Sequence, residues 1–293
     1  MKTNWMKRQQ LAGYLFVAPS VLGILIFFAL PALYSLWLSF FDWQFTSKTR
    51  DFIGFGNYTH LLQDEKFYSA MLQTLKFLLA VPISIGLAFA VAAVLNDSVY
   101  FKKLLRAMFF LPYITSGVAI AFVWMLLFHP QKGPINQFLH SLGVTNPPEW
   151  LASTDMAMAA IDVIWIWFLL GYNMIIYLAA LQDIPSELLE ASSIEGATVW
   201  QRIWHIVVPL VSPTTLFLLV TGFIVTIKQF GIIEAITQGG PGNSTMVLSL
   251  FIYKTAFRYY EMGYASAASW ILFSFIFVLT LLQWVLQKRW VHD

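Results

Sequence analysis

Six long runs of apolar residues limit how this chain can fold more than any other feature. They lie at about residues 12–40, 71–95, 107–128, 156–181, 209–230 and 264–287. Each reaches roughly the 20 residues that a helix needs to cross the hydrocarbon core of a bilayer. None shows the strict alternation that is typical of a membrane β-strand. The runs therefore predict an all-α integral membrane protein with about six transmembrane helices.

The composition supports a membrane protein and excludes several kinds of site. The chain of 293 residues is 59% hydrophobic and only 11% charged, whereas soluble domains carry about 25% charged residues. Because it has no cysteine, it can form neither disulfides nor thiolate sites. The net charge is only +2, and the basic residues form no long cluster. Both observations argue against a nucleic-acid partner. The scattered histidines and the missing hydrolase and phosphate-loop motifs predict no catalytic and no metal site.

Basic residues near the ends of the runs predict the orientation, because cytoplasmic loops carry an excess of Lys and Arg. The tightest clusters precede the first run, precede the third run and follow the sixth; they contain Lys2, Lys7, Arg8, Lys102, Lys103, Arg106, Lys288 and Arg289. Both termini are therefore predicted to be cytoplasmic. The opposite loops are too short to fold separately, so residues 1–293 are expected to form one transmembrane domain.

The cytoplasmic segment 182–208 differs from the other loops. A helix is predicted to begin near Ser186, Gly196 interrupts it, and a second amphipathic piece carries Trp200 and Trp204. One interpretation is an amphipathic helix that lies on lipid. Four acidic residues stand here against the single basic Arg202, and this balance favours a docking site for a protein partner; the acids are Asp183, Glu187, Glu190 and Glu195.

This segment resembles the cytoplasmic loop of binding-protein-dependent ABC importer permeases. That loop reads Glu-Ala-Ala, three residues, Gly, nine residues, Ile, one residue and Leu-Pro. The same spacing is occupied here by Glu190, Ala191, Ser192, Gly196, Ile206 and Pro209, with Ser192 and Val208 in place of Ala and Leu. Phe110-Leu111-Pro112 and Gly239-Gly240-Pro241 are similar to further segments of the carbohydrate branch of this family.

The resemblance implies a permease subunit that imports a sugar or sugar-like solute by alternating access across a prokaryotic cell membrane. It implies no enzymatic activity and no cofactor on this chain, because two partner ATPase subunits would hold ATP and magnesium. A second, similar permease subunit and an extracytoplasmic solute-binding protein would complete the assembly, surrounded by membrane lipid. The six matched residues would couple to the ATPase, although Gly196 alone also suits an ordinary helix end.

An ion-coupled secondary transporter is the alternative function. Such transporters tend to show internal repeats and carboxylates buried near the midplane of the membrane. No convincing repeat is visible in this chain, and Asp162 lies away from the centre of its run.

Two helical faces beside segment 182–208 are candidates for binding the solute. Residues spaced at i, i+3, i+4 and i+7 share one face of a helix. The fourth run places Trp167, Leu170, Gly171 and Met174 in this way, and the fifth places Gly222, Val225, Thr226 and Gln229. Similar faces contact sugar in the maltose branch. Plain helix packing is the alternative, because glycines let helices approach closely.

Asp162 and Lys228 are the notable charges within the runs. Their similar depths predict an ion pair between them. Lys228 could instead extend to the interface, and contact with an anionic solute is a third interpretation.

Overall fold

The computed structural model describes residues 2–47, 49–96 and 100–290, with only the backbone for residues 2–8 and 286–290. The side chains of Lys2, Lys7, Arg8, Lys288 and Arg289 therefore lie outside the described part of the chain. The chain divides into two compact units, Met1–Asp64 with Ile252–Ile271 and Glu65–Phe251 with Leu272–Asp293.

The first unit begins with a long apolar helical segment. Helix α1 (Lys2–Ile24) continues through a π-helical turn, Leu25–Ala29, into α2 (Leu30–Leu38). Pro31 lacks an N–H group and its ring crowds the carbonyl four residues earlier, so the wider turn before it relieves that clash. A short hairpin of β1 (Phe41–Asp42) and β2 (Asp51–Phe52) and helix α3 (Gly56–Leu61) follow.

Buried polar contacts hold the first unit together. The amide of Asn57 donates hydrogen bonds of 2.9 Å to the carbonyl oxygens of both Ser39 and Phe41. The Tyr264 hydroxyl donates a hydrogen bond of 2.8 Å to a carboxylate oxygen of Asp64. These bonds connect the segment after α2 and the start of the last helix to α3 and its neighbourhood.

The second unit contains most of the helices. They begin with α4 (Glu65–Phe77), α5 (Ala80–Asn96), α6 (Lys102–Ile114), α7 (Gly117–Leu127), α8 (Pro134–Ser141) and α9 (Ala157–Gln182). They continue with α10 (Ser186–Ile194), α11 (Val199–Arg202), α12 (Val208–Leu210), α13 (Ser212–Lys228), α14 (Gly231–Ile236), α15 (Leu248–Phe257) and α16 (Met262–Trp290), of which the last two extend into both units.

Helix α9 is the central element of the second unit and packs against α5. Small residues on α5, Ala88 and Ala92, allow a close approach to Met174 and Tyr177 in one buried apolar cluster. Polar groups in this interface are paired, as Asn173 donates a hydrogen bond of 3.2 Å to Oγ of Ser84. Burying such pairs together avoids the cost of an unsatisfied polar group in an apolar interior.

The third predicted run is broken and does not form one straight span over 107–128. Helices α6 and α7 meet at an angle of 104°. Thr115 and Ser116 adopt extended backbone angles (ψ of 150° and 127°), so α6 ends at Ile114 and a new helix begins at Gly117.

Among the described residues, five helical segments are long and apolar enough to cross a membrane, and the bent pair makes a sixth if it is counted as one span. Their bounds are Gln9–Leu38, Glu65–Asn96, Ala157–Gln182, Ser212–Ile236 and Met262–Val285. The prediction of an all-α membrane protein with about six spans is confirmed.

Candidate functional site

Segment 182–208 forms two short helices joined by a tight turn. The first, α10, carries Glu190 and Ala191 and ends at Ile194, two residues before Gly196, whose φ is +80°. The N–H of Gly196 donates to the Ser193 carbonyl at 3.1 Å, and the N–H of Ala197 donates to the Ser192 carbonyl at 2.9 Å. This pair of bonds is the Schellman motif, in which glycine adopts the left-handed conformation that other residues avoid. Gly196 therefore both ends α10 and produces the bend.

The second half of the segment begins with a capping box. The Thr198 hydroxyl accepts a hydrogen bond from the N–H of Gln201, and the side chain of Gln201 accepts one from the N–H of Thr198. After α11, a π-helical turn, Ile203–Val207, contains Ile206 and leads to Pro209. The first half of the segment therefore has a defined helix end at the Gly196 turn, and the second half has a defined helix start at Thr198.

Arg202 connects the two halves. Its Nη1 atom donates a hydrogen bond of 2.9 Å to Oγ of Ser193. It also lines three surface cavities, two of which contain matched residues: one of about 520 Å³ with Glu190, and one of about 400 Å³ with Ser192, Gly196 and Ile206. Four of the six matched residues therefore line two concave surfaces beside Arg202.

The surface of this segment mixes acids with large exposed apolar side chains. Glu190, Ala191 and Gly196 are exposed, whereas Ser192 is buried. Ile194, Trp200 and Trp204 are 88%, 70% and 60% exposed. Apolar groups presented together with several carboxylates suit a protein partner better than an anionic lipid surface.

The predicted solute face of α9 is largely occupied by packing. A methyl group at Gly171 would overlap the backbone carbonyl of Phe109 on α6, so this glycine is required for close helix contact. Met174 is fully buried in the cluster with α5. Trp167 is 40% exposed and packs edge-on against Trp124, with ring centroids 5.6 Å apart. Leu170 is partly buried.

The predicted face of α13 is divided between packing and exposure. A Cβ atom at Gly222 would lie 2.8 Å from a methyl group of Val81, so this glycine too allows close packing. Thr226 is completely buried, whereas Val225 is 46% exposed. The helix ends at Lys228, and Gln229 follows in an extended conformation.

One hydrogen bond brings the two helices together. The indole Nε1 of Trp165 donates to Oγ1 of Thr226 at 2.8 Å, and both residues are buried. Trp165 lies outside the predicted solute face, because the i, i+3, i+4, i+7 pattern that defines this face begins at Trp167. The partner of Thr226 therefore lies two residues away on α9, on a different side of the helix.

The predicted ion pair between Asp162 and Lys228 is wrong. Asp162 has no hydrogen bond or ion pair among the described residues, and its Oδ1 atom is buried. Lys228 is exposed at the end of α13. Similar depth along two helices is not sufficient for contact, because the rotation of each helix decides where its side chain points.

No group of three or more His, Asp or Glu side chains is arranged to hold a metal ion within the described residues. The candidate site therefore consists of the exposed surface of segment 182–208 and of helix faces that are partly buried.

Residues 80–292 match the family described as "Binding-protein-dependent transport system inner membrane component". The chain is 33% identical to the probable ABC transporter permease protein YesP of Bacillus subtilis, over 99% of this chain and 95% of that protein. It is 36% identical to the lactose transport system permease protein LacF of Rhizobium radiobacter, over 94% of each chain. It is 34% identical to the sn-glycerol-3-phosphate transport system permease protein UgpA of Agrobacterium fabrum, over 95% of each.

The fold is also that of a solved transporter. A chain from the crystal structure of a bacterial ABC transporter involved in the import of the acidic polysaccharide alginate superposes with a TM-score of 0.80, at 23% identity and over 99% of each chain. A chain from the crystal structure of a bacterial alginate ABC transporter in complex with an alginate pentasaccharide-bound periplasmic protein also superposes with a TM-score of 0.80, at 24% identity and over 98% of this chain and 96% of that chain.

Proposed function

Because the chain belongs to the family of binding-protein-dependent transport system inner membrane components, we propose that it forms half of a solute pathway and couples to an ATPase through segment 182–208. The family consists of permeases of ABC importers, so the chain is a transport subunit and not an enzyme. The comparisons give no support to an ion-coupled secondary transporter. The solute is a sugar or a sugar-like molecule, as it is for the lactose permease among the relatives.

The observation that carries the coupling proposal is the geometry at Gly196. The turn is closed by two backbone hydrogen bonds and by the side-chain bond between Arg202 and Ser193. A segment closed in this way can transmit a displacement, whereas a flexible loop would absorb it. Glu190 is exposed beside this turn and is available to a basic group on an ATPase. Binding to one of two conformations then shifts the equilibrium between inward-open and outward-open states.

The proposed assembly contains two ATPase subunits that carry ATP and magnesium, a second permease of similar fold, and a solute-binding protein outside the membrane. Both termini and segment 182–208 face the cytoplasm of a prokaryotic cell, as the clusters of Lys and Arg indicate. The loops at the other side, which include α8 and α14, face the binding protein. Among the eight residues of the predicted solute faces, the exposed Trp167 and Val225 and the partly buried Leu170 and Gln229 are retained as proposed solute contacts. The other four are proposed to act through packing: Gly171, Met174, Gly222 and Thr226.

Purification of this chain from its native membrane, followed by mass spectrometry, tests the assembly. We expect an ATPase, a second permease and a solute-binding protein to accompany it, and ATP-dependent uptake after reconstitution into liposomes. A chain that purifies alone and moves solute without ATP would contradict the proposal. Glu190→Lys should reduce recovery of the ATPase, whereas Glu187→Lys, an exposed charge reversal on the same helix outside the matched positions, should not.

A further inference from the structure

The third cavity that Arg202 lines is a groove of about 350 Å³ between segment 182–208 and the membrane helices beside it. Its walls come from the C-terminal half of α5, the end of α9, helices α10 and α11 and the π-helical turn. Eight of its ten lining residues are apolar, and they include Phe89, Val94 and Leu181. The other two are Asn96, the last residue of α5, and Arg202.

Two cations adjoin this groove. Arg202 is the charged residue among the described residues that line it. Its Nη1 atom bonds to the hydroxyl group of Ser193, and it forms no ion pair with a carboxylate in the described part of the chain. Nζ of Lys102 donates a hydrogen bond of 2.9 Å to the carbonyl oxygen of Asn96, so a second cation lies beside the lining. An anionic group at this place would complement both charges.

The acids of the segment belong to other surfaces. Glu190 and Glu195 line the two other cavities beside Arg202, and neither lines the groove. The exposed side chains of Trp200 and Trp204 are not part of its lining either. The groove therefore differs in charge from the outer surface of the segment, which is proposed to contact the ATPase.

An exposed apolar stripe on α5 leads into the groove. Ile83, Leu87, Ala90 and Val94 are all exposed, and their spacing of three or four residues places them on one side of the helix. From Ile83 to Val94 the helix rises about 16 Å, which is close to the roughly 15 Å of hydrocarbon in one leaflet of a bilayer. Val94 belongs to both the stripe and the groove. An acyl chain can therefore extend from the groove along α5 within one leaflet.

The lining narrows the chemistry of the occupant. A free phosphate ion would match the cations but would leave the apolar walls without a contact. An apolar chain joined to an anionic group matches both parts, and anionic phospholipids carry this combination. Basic pockets between helices on the cytoplasmic side of a membrane are typical sites for anionic lipid headgroups.

We propose that this groove binds one anionic phospholipid of the inner leaflet, with its headgroup at Arg202 and Lys102 and one acyl chain along α5. The proposal rests on the proposed function, because it needs the end of α5 to face the cytoplasm. A lipid bound in this way contacts both the membrane helices and segment 182–208, so it joins the bilayer to the segment that is proposed to couple to the ATPase.

Competition between two matched lipids tests the groove. Dioleoylphosphatidylglycerol and dioleoylphosphatidylcholine have the same acyl chains and differ in the charge of the headgroup. Native mass spectrometry of the purified, delipidated complex measures how much of each lipid it binds from an equimolar mixture. Each basic residue close to an anionic headgroup strengthens binding about fivefold, so we expect at least about a fivefold preference for phosphatidylglycerol.

One set of variants tests the headgroup position. Arg202→Gln should lower the preference by about threefold or more, because it removes one of the two cations. Ser193→Ala breaks the hydrogen bond of Arg202 but keeps its charge, so it should retain the preference. Lys103→Gln removes an exposed cation on α6 that does not line the groove, and should retain it too.

A second set tests the acyl chain position. Ala93 lines the groove, and Ala93→Trp places a large ring in the space of the chain. We expect this variant to bind both lipids at least about fivefold more weakly, because an overfilled space is costly. Ala179→Trp, at an exposed position on α9 outside the groove, is the control. If Ala93→Trp fails to assemble with its partners, Val94→Trp at the exposed edge of the groove carries the same expectation.

The groove proposal is overturned if the wild-type complex binds both lipids equally, which is also the result expected if the second permease covers the groove. It is overturned as well if Arg202→Gln keeps the full preference, or if the tryptophan variant in the groove binds both lipids like the wild type. ATP-dependent uptake by the same preparations tests the proposed function separately. Normal uptake without a lipid preference would argue against the groove alone, whereas a lipid preference without ATP-dependent uptake would argue against the proposed function alone.

Discussion

Arg202 and Ser193 are nine residues apart, and a hydrogen bond of 2.9 Å between Nη1 and Oγ joins them across the bend at Gly196. The bond is exposed, so it contributes little to the stability of the whole chain. Its effect is local, because it fixes the angle between α10 and the residues that lead into α13. A permease that moves with an ATPase needs this angle to stay constant under load.

Removal of this bond should therefore reduce coupling more than stability. We expect Ser193→Ala and Arg202→Met each to lower solute-stimulated ATP hydrolysis of the reconstituted complex by about two- to fivefold, in line with the loss of one solvent-exposed interaction of about 0.5–1 kcal/mol. Basal hydrolysis should persist. Lys103→Met removes an exposed cation on α6 and is the control. Equal stimulation in both variants and the wild type would show that the bond has no role in coupling.

The left-handed backbone at Gly196 gives a second prediction. No atom lies within 4 Å of the position that a Cβ would occupy, so a substitution there meets backbone strain and no steric clash. Gly196→Val should raise the free energy of the left-handed turn by about 1–2 kcal/mol. We therefore expect it to uncouple ATP hydrolysis from solute uptake. Gly196→Asn should retain more coupling, because asparagine tolerates this conformation. The ratio of solute transported to ATP hydrolysed measures the effect, and equal ratios for both variants would contradict the strain argument.

Gly171 is expected to act through packing. Its missing side chain allows the carbonyl of Phe109 to approach α9, so Gly171→Ala forces the two helices apart. We expect the free energy of unfolding to fall by about 1–3 kcal/mol and the melting temperature of the purified complex to fall with it. Gly86→Ala on α5 introduces a methyl group into open space and should leave the melting temperature unchanged or raise it slightly. Similar melting of both variants would argue against the contact.

A substitution that breaks the hydrogen bond between Trp165 and Thr226 tests whether Thr226 acts in packing or in solute contact. Thr226→Val keeps the shape of the side chain but leaves the buried indole N–H unpaired, at a cost of about 1–3 kcal/mol. We expect a lower melting temperature with little change in the solute concentration at half-maximal uptake. Thr221→Val is the control, because that hydroxyl bonds only to carbonyl groups of its own helix. An unchanged melting temperature together with weakened uptake would instead indicate that Thr226 contacts the solute.

The length of the apolar runs made most helices predictable, because a helix that satisfies its own hydrogen bonds is the structure open to a single apolar segment in lipid. The bend at Gly196 was also visible, since the spacing from Glu190 to Pro209 is a local pattern. The break after Ile114 was not visible in the sequence, because no local residue pattern indicates the extended backbone angles at Thr115 and Ser116. The pairing of Trp165 with Thr226 depends on how two helices rotate against each other.

The cavity around Asp162 illustrates the limit of sequence reasoning most clearly. Asp162 is an unusual charge within its run, and similar depth alone predicts Lys228 as its partner. One cavity instead brings Asp162 together with Gln73 and Ser244, which lie on distant parts of the chain. Only the folded structure shows this grouping.

The short helix α6 has a consequence for the lipid around the protein. Its 13 residues rise about 20 Å, whereas the hydrocarbon core of a typical bilayer is about 30 Å thick. The chain then turns by 104° instead of continuing outward. Where α6 borders lipid, we expect the acyl chains beside it to shorten to match it, at an elastic cost to the membrane. Transport rates in bilayers of different chain length would then differ, because this cost depends on bilayer thickness.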